Sequence, residues 1–399
     1  MIPFIDLKAQ FAALESEIRT RMDAVLAHGG FIMGPEVAEL EKALAEYVGV
    51  PHCVTCASGT DALLMALMAW GVGPGDVVFT TPFTFIATAE VVTLLGATPV
   101  YVDIDPATFN LDPGSLAKAM DAVEAGDPSI HPLPAACRGK RLRPRAVISV
   151  DLLGLPADYH LIEALCAEGG LLLLEDAAQG FGGEIQGKKA CAFGHAAATS
   201  FFPAKPLGCY GDGGAVFTRD ADTAAVLKSI RVHGKGSHKY DNARLGLNAR
   251  LDTLQAAILL PKLAAFPREL DARQQAADRY AAGLGGIAGV TVPAAPAGYR
   301  SAWAQYSILL DADRDKVAAG LKARGVPSAV YYPCPLHLQT AYAHLGYARG
   351  DMPVSEDCAA RILALPMHPY LDAATQDTVC KAVAEAVAEA VAEAGAGAR

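Results

Sequence analysis

The sequence predicts an α/β protein with a mostly parallel central sheet flanked by helices and a smaller α+β domain at its carboxyl end. Three observations predict it. From Cys53 onward, strand-like apolar runs alternate with segments of helical periodicity, and that alternation builds a parallel sheet with right-handed crossovers. Leu171 to Leu174 are apolar on both faces, as a strand covered by helices on each side must be. Finally, 399 residues with 52% hydrophobic content exceed one ordinary core, so two domains are expected, 1–262 and 263–399.

Taken in order, Gln10 to Ala27 places Phe11, Leu14, Ile18, Met22, Val25 and Leu26 at helical spacing and stops at Gly29-Gly30. A second helix is expected from Glu36 to Val48, after a loop at 30–35. Cys53 to Ser58 reads as a strand. Gly59-Thr60-Asp61 then opens an apolar helix through Trp70, and a helix amino terminus offers free N–H groups and a positive pole to a phosphate. For Thr60 the plainer role is helix capping. Val77 to Thr80 is a strand, followed by a turn at 81–85 and a helix ending near Gly96. Phe83 or Phe85, just past that strand, could stack on a flat ring, although core packing is the commoner use of an aromatic there. Thr98 to Val102 continues the alternation.

Residues 126–145 change character, with four prolines and the bases Arg138, Lys140, Arg141, Arg143 and Arg145. An exposed, irregular loop with a solvated basic face is expected. Ala146 to Asp151 resumes the sheet. The strand at 171–174 ends in Glu175-Asp176, at the carboxyl edge where ligands meet open α/β sheets. Asp176 reads either as a cap for a following helix or as a carboxylate in a site.

Lys205 lies inside an apolar, glycine-rich segment, 199–214. Burying an ammonium is costly, so a dry site lowers its pKa or uses it covalently. A lone lysine more often sits on a solvated turn. With Asp176 it acquires a second reading: pyridoxal phosphate needs a lysine for its aldehyde and a carboxylate opposite its ring nitrogen. The glycines at 211–214 precede a strand rather than follow one, and that order removes a dinucleotide-binding reading.

Arg231 to Arg250 gathers basic residues against Asp241, a cluster suited to a diphosphate or a carboxylate, with solvated loop positions as the plainer account. Leu251 to about Leu284 is expected to be a long helix broken at Pro261. Beyond it, Trp303 to Leu310, Ser328 to Tyr332 and Leu363 to Leu371 suggest short strands, and Ala373 to Ala394 a covering helix.

The formal net charge of −10 argues against a nucleic-acid partner. The absence of an apolar run of about 18 residues argues against a membrane span, and the amino terminus lacks the form of a secretory signal. A cytoplasmic location is expected. Nine scattered cysteines do not resemble a disulfide framework. The Cys53-x-x-Cys56 spacing lacks the second pair that a zinc site needs, so no metal is expected.

Four segments, Ser200-Phe-Phe-x-x-Lys205 with Gly211-Asp-Gly-Gly214, Glu175-Asp-Ala-Ala-Gln179, Cys56-Ala-Ser-Gly-Thr-Asp-Ala62 and Gly246-Leu-Asn-Ala-Arg-Leu-Asp252, resemble in order the DegT-type nucleotide-sugar aminotransferases. The resemblance runs from Phe4 to Leu371. It implies a pyridoxal phosphate enzyme of the aspartate aminotransferase fold, fold type I, working as a homodimer with sites at the interface. Within the family the wording is most similar to enzymes that aminate C3 of a UDP-linked 2-acetamido-3-keto-glucuronic acid, with L-glutamate as donor, for cell-surface polysaccharide of the O-antigen type.

By that resemblance Lys205 bonds the cofactor and Asp176 faces its ring nitrogen. Phe85 stacks on the ring, Gln179 meets its hydroxyl, and Gly59, Thr60 and Ser200 take the phosphate. Asn248 reaches a neighbouring subunit's cofactor phosphate, Arg250 meets a substrate carboxylate, and Tyr331 and Tyr332 contact the UDP moiety from the second subunit. The 126–145 stretch is longer than the family's usual connection. Amination at C4 of a dTDP- or UDP-4-keto-6-deoxy sugar and a non-catalytic sugar-nucleotide sensor are the alternatives, and Lys205 argues against a dehydratase with histidine at that position.

Overall fold

A computed structural model describes residues 2–139, 142–238 and 240–397. Two helices lead, α1 (Leu7–His28) and α2 (Pro35–Val48). The alternating region follows: β1 (His52–Cys56), α3 (Gly59–Ala69), β2 (Asp76–Thr80), α4 (Ala87–Leu94), β3 (Thr98–Tyr101), α5 (Pro113–Ala125), β4 (Arg143–Val150), α6 (Tyr159–Gly169) and β5 (Leu172–Asp176). After the short strands β6 (Glu184–Ile185) and β7 (Lys188–Lys189) come β8 (Ala196–Ser200), β9 (Gly214–Thr218) and α7 (Ala221–Ile230). Seven strands form one sheet in the order β1-β9-β8-β5-β4-β2-β3. Only β9 runs against its neighbours, so the other six point their carboxyl ends to one edge.

Helices cover both faces, which is why the central strands are apolar on both sides. On one face α3 and α4 bury Leu63, Met65, Leu67, Val91 and Val92 against Val54, Val78 and Ile148 of the sheet. On the other, Leu116 and Val123 of α5 and Ile162 of α6 pack on Phe79, Val147 and Leu173.

The long helix α8 (Thr253–Leu284) carries the chain out of this layer. Leu259, Leu260, Leu263, Phe266 and Leu270 pack with α2 and the sheet, whereas Ala276, Ala277, Tyr280 and Leu284 belong to a second cluster. That cluster contains β12 (Tyr306–Leu310), α9 (Arg314–Ala323), β13 (Ile362–Leu365) and α11 (Ala373–Gly397), reached past β10 (Val290–Thr291) and β11 (Tyr299–Arg300), with α10 (Pro353–Arg361) leading into β13.

Three expectations are corrected. The helix is not broken at Pro261 but runs through both Pro261 and Pro267. Each proline removes one backbone donor at a cost of about 3 kcal/mol, and the apolar row buried on either side outweighs it. Ser328 to Tyr332 form no strand: only Ala329 pairs, with Ala364, because Pro327 and Pro333 bracket the segment and take donors from any ladder. The basic stretch at 126–145 is exposed at Arg138 and Arg143, as expected, but it is not an exposed loop throughout. Leu133 and Cys137 are buried, and its arginines are structural: Arg138 Nε donates to Leu133 O at 3.0 Å, Arg143 Nε to Asp76 at 2.6 Å, and Arg145 Nη2 to Trp70 O at 2.6 Å. Lys140 and Arg141 lie outside the described residues.

Candidate active site

Because six strands share a direction, the segments leaving β1, β2, β5 and β8 converge at one edge of the sheet. There they enclose a cavity of about 450 Å³. Asp176 ends β5 and forms its floor. It caps no helix; its Oδ2 accepts from Thr88 Oγ1 at 2.8 Å and its Oδ1 from Ala178 N at 3.2 Å. Burial raises its pKa, opposed by those two donors and by the charge of Lys205.

Lys205 follows β8 on a turn closed by its N–H to Phe202 O, 2.9 Å. It is half-buried, and the cavity is what it opens onto. Desolvation lowers its pKa, and Asp176 works in the opposite direction. A solvated surface turn is therefore not its setting.

One end of the cavity is built to take an anion. Ser58 caps α3, accepting from Asp61 N at 3.0 Å, so Gly59 and Thr60 stand in the first turn, where N–H groups lack helical partners. Ser200, at the end of β8, lines the same end. The approach is close: a Cβ on Gly59 would stand 2.7 Å from Ser200 Cβ, so only glycine lets the helix start lie against that strand.

Phe85 is 54% exposed and faces the cavity, whereas Phe83 is fully buried in a separate apolar cluster. Between the two aromatics, only Phe85 offers an open ring. Gln179 lines the cavity as well, with Oε1 accepting from Leu153 N at 2.8 Å and Nε2 donating to the Tyr332 hydroxyl at 3.1 Å. Tyr331 and Tyr332 line the cavity of their own chain, whereas the sequence reading put them in a second subunit's.

Asn248 and Arg250 stand apart. Neither lines the cavity; Asn248 is exposed and paired through its backbone with Val232. The basic cluster around them also loses a member, since Arg231 is buried, ion-paired with Glu41, and donates to Thr55 O at 2.8 Å. Lys239 is outside the described residues.

Sequence reasoning missed Thr84, Thr88, Phe4, Ile5, Asp212 and Gln305, all of which line the cavity. Thr88 had a local signal only in lying three positions past Phe85, in the first turn of α4. Phe4 and Ile5 had none, being held there by the distant contact of Met367 N with Phe4 O, 3.2 Å.

The donor set fits pyridoxal phosphate. A helix start with two hydroxyls suits the phosphate, an open aromatic the ring face, a buried carboxylate the ring nitrogen, and a desolvated amine the aldehyde.

Residues 12–384 match the model of the DegT/DnrJ/EryC1/StrS aminotransferase family. The chain is 47% identical to a UDP-2-acetamido-2-deoxy-3-oxo-D-glucuronate aminotransferase of Pseudomonas aeruginosa, over 96% of this chain and 99% of that one. It is 44% identical to a UDP-N-acetyl-3-dehydro-alpha-D-glucosamine 3-aminotransferase of Acidithiobacillus ferrooxidans, over 93% and 94%. Among solved structures, a DegT DnrJ EryC1 StrS aminotransferase from Brucella abortus superposes with a TM-score of 0.90 at 51% identity, covering 96% of this chain and 98% of that one.

Proposed function

The chain belongs to the DegT/DnrJ/EryC1/StrS aminotransferase family, and on that premise we propose that it transfers the amino group of L-glutamate to C3 of a UDP-linked 2-acetamido-3-oxo-glucuronic acid. Pyridoxal phosphate is its cofactor. The observation that carries the reading is that Lys205 and Asp176, 29 positions apart, face one cavity with a helix amino terminus at its end. The sugar class rests on two relatives whose substrates are both 3-oxo UDP-sugars.

When bound, the cofactor supplies an electron sink for charge developing on the amino acid's α carbon. The chain's own residues do the rest. Lys205 Nζ would hold the cofactor's aldehyde carbon, and as a free amine it is placed to take the proton from the donor's α carbon. Its lowered pKa suits it to act as a neutral base. Asp176 keeps a negative charge opposite the ring nitrogen, and Phe85 restrains the ring face. Gln179, with one N–H committed to Tyr332, has its second for the ring hydroxyl. Gly59, Thr60 and Ser200 hold the phosphate, and Tyr331 and Tyr332 take part in binding the sugar nucleotide.

The substrates are polyanions, yet Lys205 is the one cation among the described residues lining the cavity, which also holds Asp176 and Asp212. Cations from a second copy answer that deficit. We therefore assign Arg250 to a substrate carboxylate across a homodimer interface and, by the family resemblance, the neutral amide of Asn248 to the neighbouring subunit's cofactor phosphate, which suits their places outside their own chain's cavity.

The reading includes a cytoplasmic enzyme of cell-surface polysaccharide synthesis. Its nine cysteines are free thiols, in keeping with a reducing compartment. No helix among the described residues is long and apolar enough to cross a membrane.

The test is a half-reaction. Enzyme carrying the amino form of the cofactor is mixed with UDP-3-keto or UDP-4-keto sugars, and return of the visible absorbance is followed. Return with the 3-keto uronic acid is expected; return with 4-keto sugars alone would move the reaction to C4, and return with neither would end the amination reading.

A further inference from the structure

Asp176 has a partner with no counterpart in the roles assigned so far. Thr88, on the first turn of α4, is 1% exposed, and its Oγ1 lies 2.8 Å from Asp176 Oδ2. Thr84 Oγ1 lies 3.0 Å from Thr88 Oγ1 and is itself 2% exposed. Both threonines line the cavity.

A threonine well inside a helix can bond back to the carbonyl four residues earlier. Thr93 does so on this same helix, to Ala89 O at 3.4 Å. Thr88 instead reaches a carboxylate 88 positions away. The direction of the chain follows from chemistry: an ionised carboxylate only accepts, so the Thr88 hydrogen is committed to Asp176 and Thr84 must donate to Thr88.

We propose that Thr84 and Thr88 form a one-way hydroxyl chain that orients Asp176 and keeps it ionised, making Thr88 a positioning residue for the cofactor's ring nitrogen. The proposal rests on the pyridoxal phosphate reading and deepens it. Burial alone drives Asp176 toward its neutral form. Of the two hydrogen bonds its carboxylate accepts, the Thr88 bond is the shorter. Without it, Asp176 becomes a stronger base and draws the proton off the ring nitrogen, weakening the electron sink.

The experiment uses holoenzyme loaded with pyridoxal phosphate ¹⁵N-labelled at the ring nitrogen, read by NMR at neutral pH, beside cofactor affinity by equilibrium titration. Wild type and Thr88→Ser should both show a protonated ring nitrogen. Thr88→Val should move that signal toward neutral pyridine and weaken cofactor binding about tenfold, the scale of one charge-assisted hydrogen bond. Thr84→Val should move the signal part of the way. A wild-type nitrogen signal in Thr88→Val overturns the proposal. If that variant does not fold, a wild-type signal in Thr84→Val does so instead. No sugar enters the measurement, so its failure is separate from failure of the C3 assignment.

Discussion

Two lysines of this chain lie desolvated near a carboxylate, one half-buried and one fully buried, and they do different work. Lys205 sits in the loop after β8 with Asp176; Lys262 sits on α8 with Glu269. Burial lowers the pKa of both, that of Lys262 to about 8, and in each the nearby acid opposes the shift. The surroundings differ. Lys205 opens onto a cavity of about 450 Å³. Lys262 is 1% exposed, its Nζ lying 4.7 Å from the centroid of the Tyr210 ring. Glu269 is already engaged, accepting from Gln10 Nε2 at 2.8 Å and from the Tyr370 hydroxyl at 2.8 Å. A perturbed lysine is thus not by itself a catalytic one. Open volume and converging anion-binding groups distinguish the two.

The sharpest break between them is expected on removing the amines one at a time. Lys205→Ala should lower amino transfer by a factor on the order of 10²–10⁴, the scale of a positioned proton-transfer group, and should abolish the lysine-bound cofactor's visible absorbance. The cofactor-free variant should keep the wild-type melting temperature, because the lost side chain leaves space that adjoins an existing cavity. Lys262→Met should keep both turnover and absorbance. Comparable loss of amino transfer in the two variants, measured under the same conditions, would erase the distinction.

The two lysines were unequally legible. Lys205 could be found because its neighbours in sequence are the strand ends and glycines that shape the site, and because Asp176 closes a strand whose apolar run announces itself. The alternation that builds the sheet was legible for the same reason: local periodicity reports local structure. Lys262 carried no signal beyond helical spacing, since what buries it comes from Tyr210 and from α1, far away in sequence. The same holds for Phe4 and Ile5 in the cavity wall. Pro261 misled because proline's local cost is visible in sequence, whereas the packing of Leu259, Leu263 and Phe266 that overcomes it is not. Ser328 to Tyr332 misled in reverse: their β-branched and aromatic residues favour a strand, but only Ala329 finds a partner. Arg138 and Arg143 are exposed, as read, but the Asp76 and Trp70 partners of Arg143 and Arg145 lie elsewhere in the chain and could not be read from the stretch itself.

A smaller effect sharpens the contrast from the stability side. The folded chain holds Lys262 at a pKa of about 8, below the ordinary value of 10.5. Between those two values the unfolded chain binds the proton and the folded one does not, so this group makes stability rise with pH through that window. Below pH 8 both states are charged, and the cost of burying the ammonium is present in full. Lys262→Met removes that cost while keeping an unbranched side chain of similar length over the Tyr210 ring. Because the charge of Arg273 still acts on Glu269, the variant should be more stable than wild type at pH 7, by on the order of 1 kcal/mol, with the gap closing as pH rises from 8 toward 10.5. Urea midpoints of the cofactor-free proteins across pH 7–10.5 measure it. A gap that stays constant with pH would mean that Lys262 is not held against its charge, and that its likeness to Lys205 is one of burial alone.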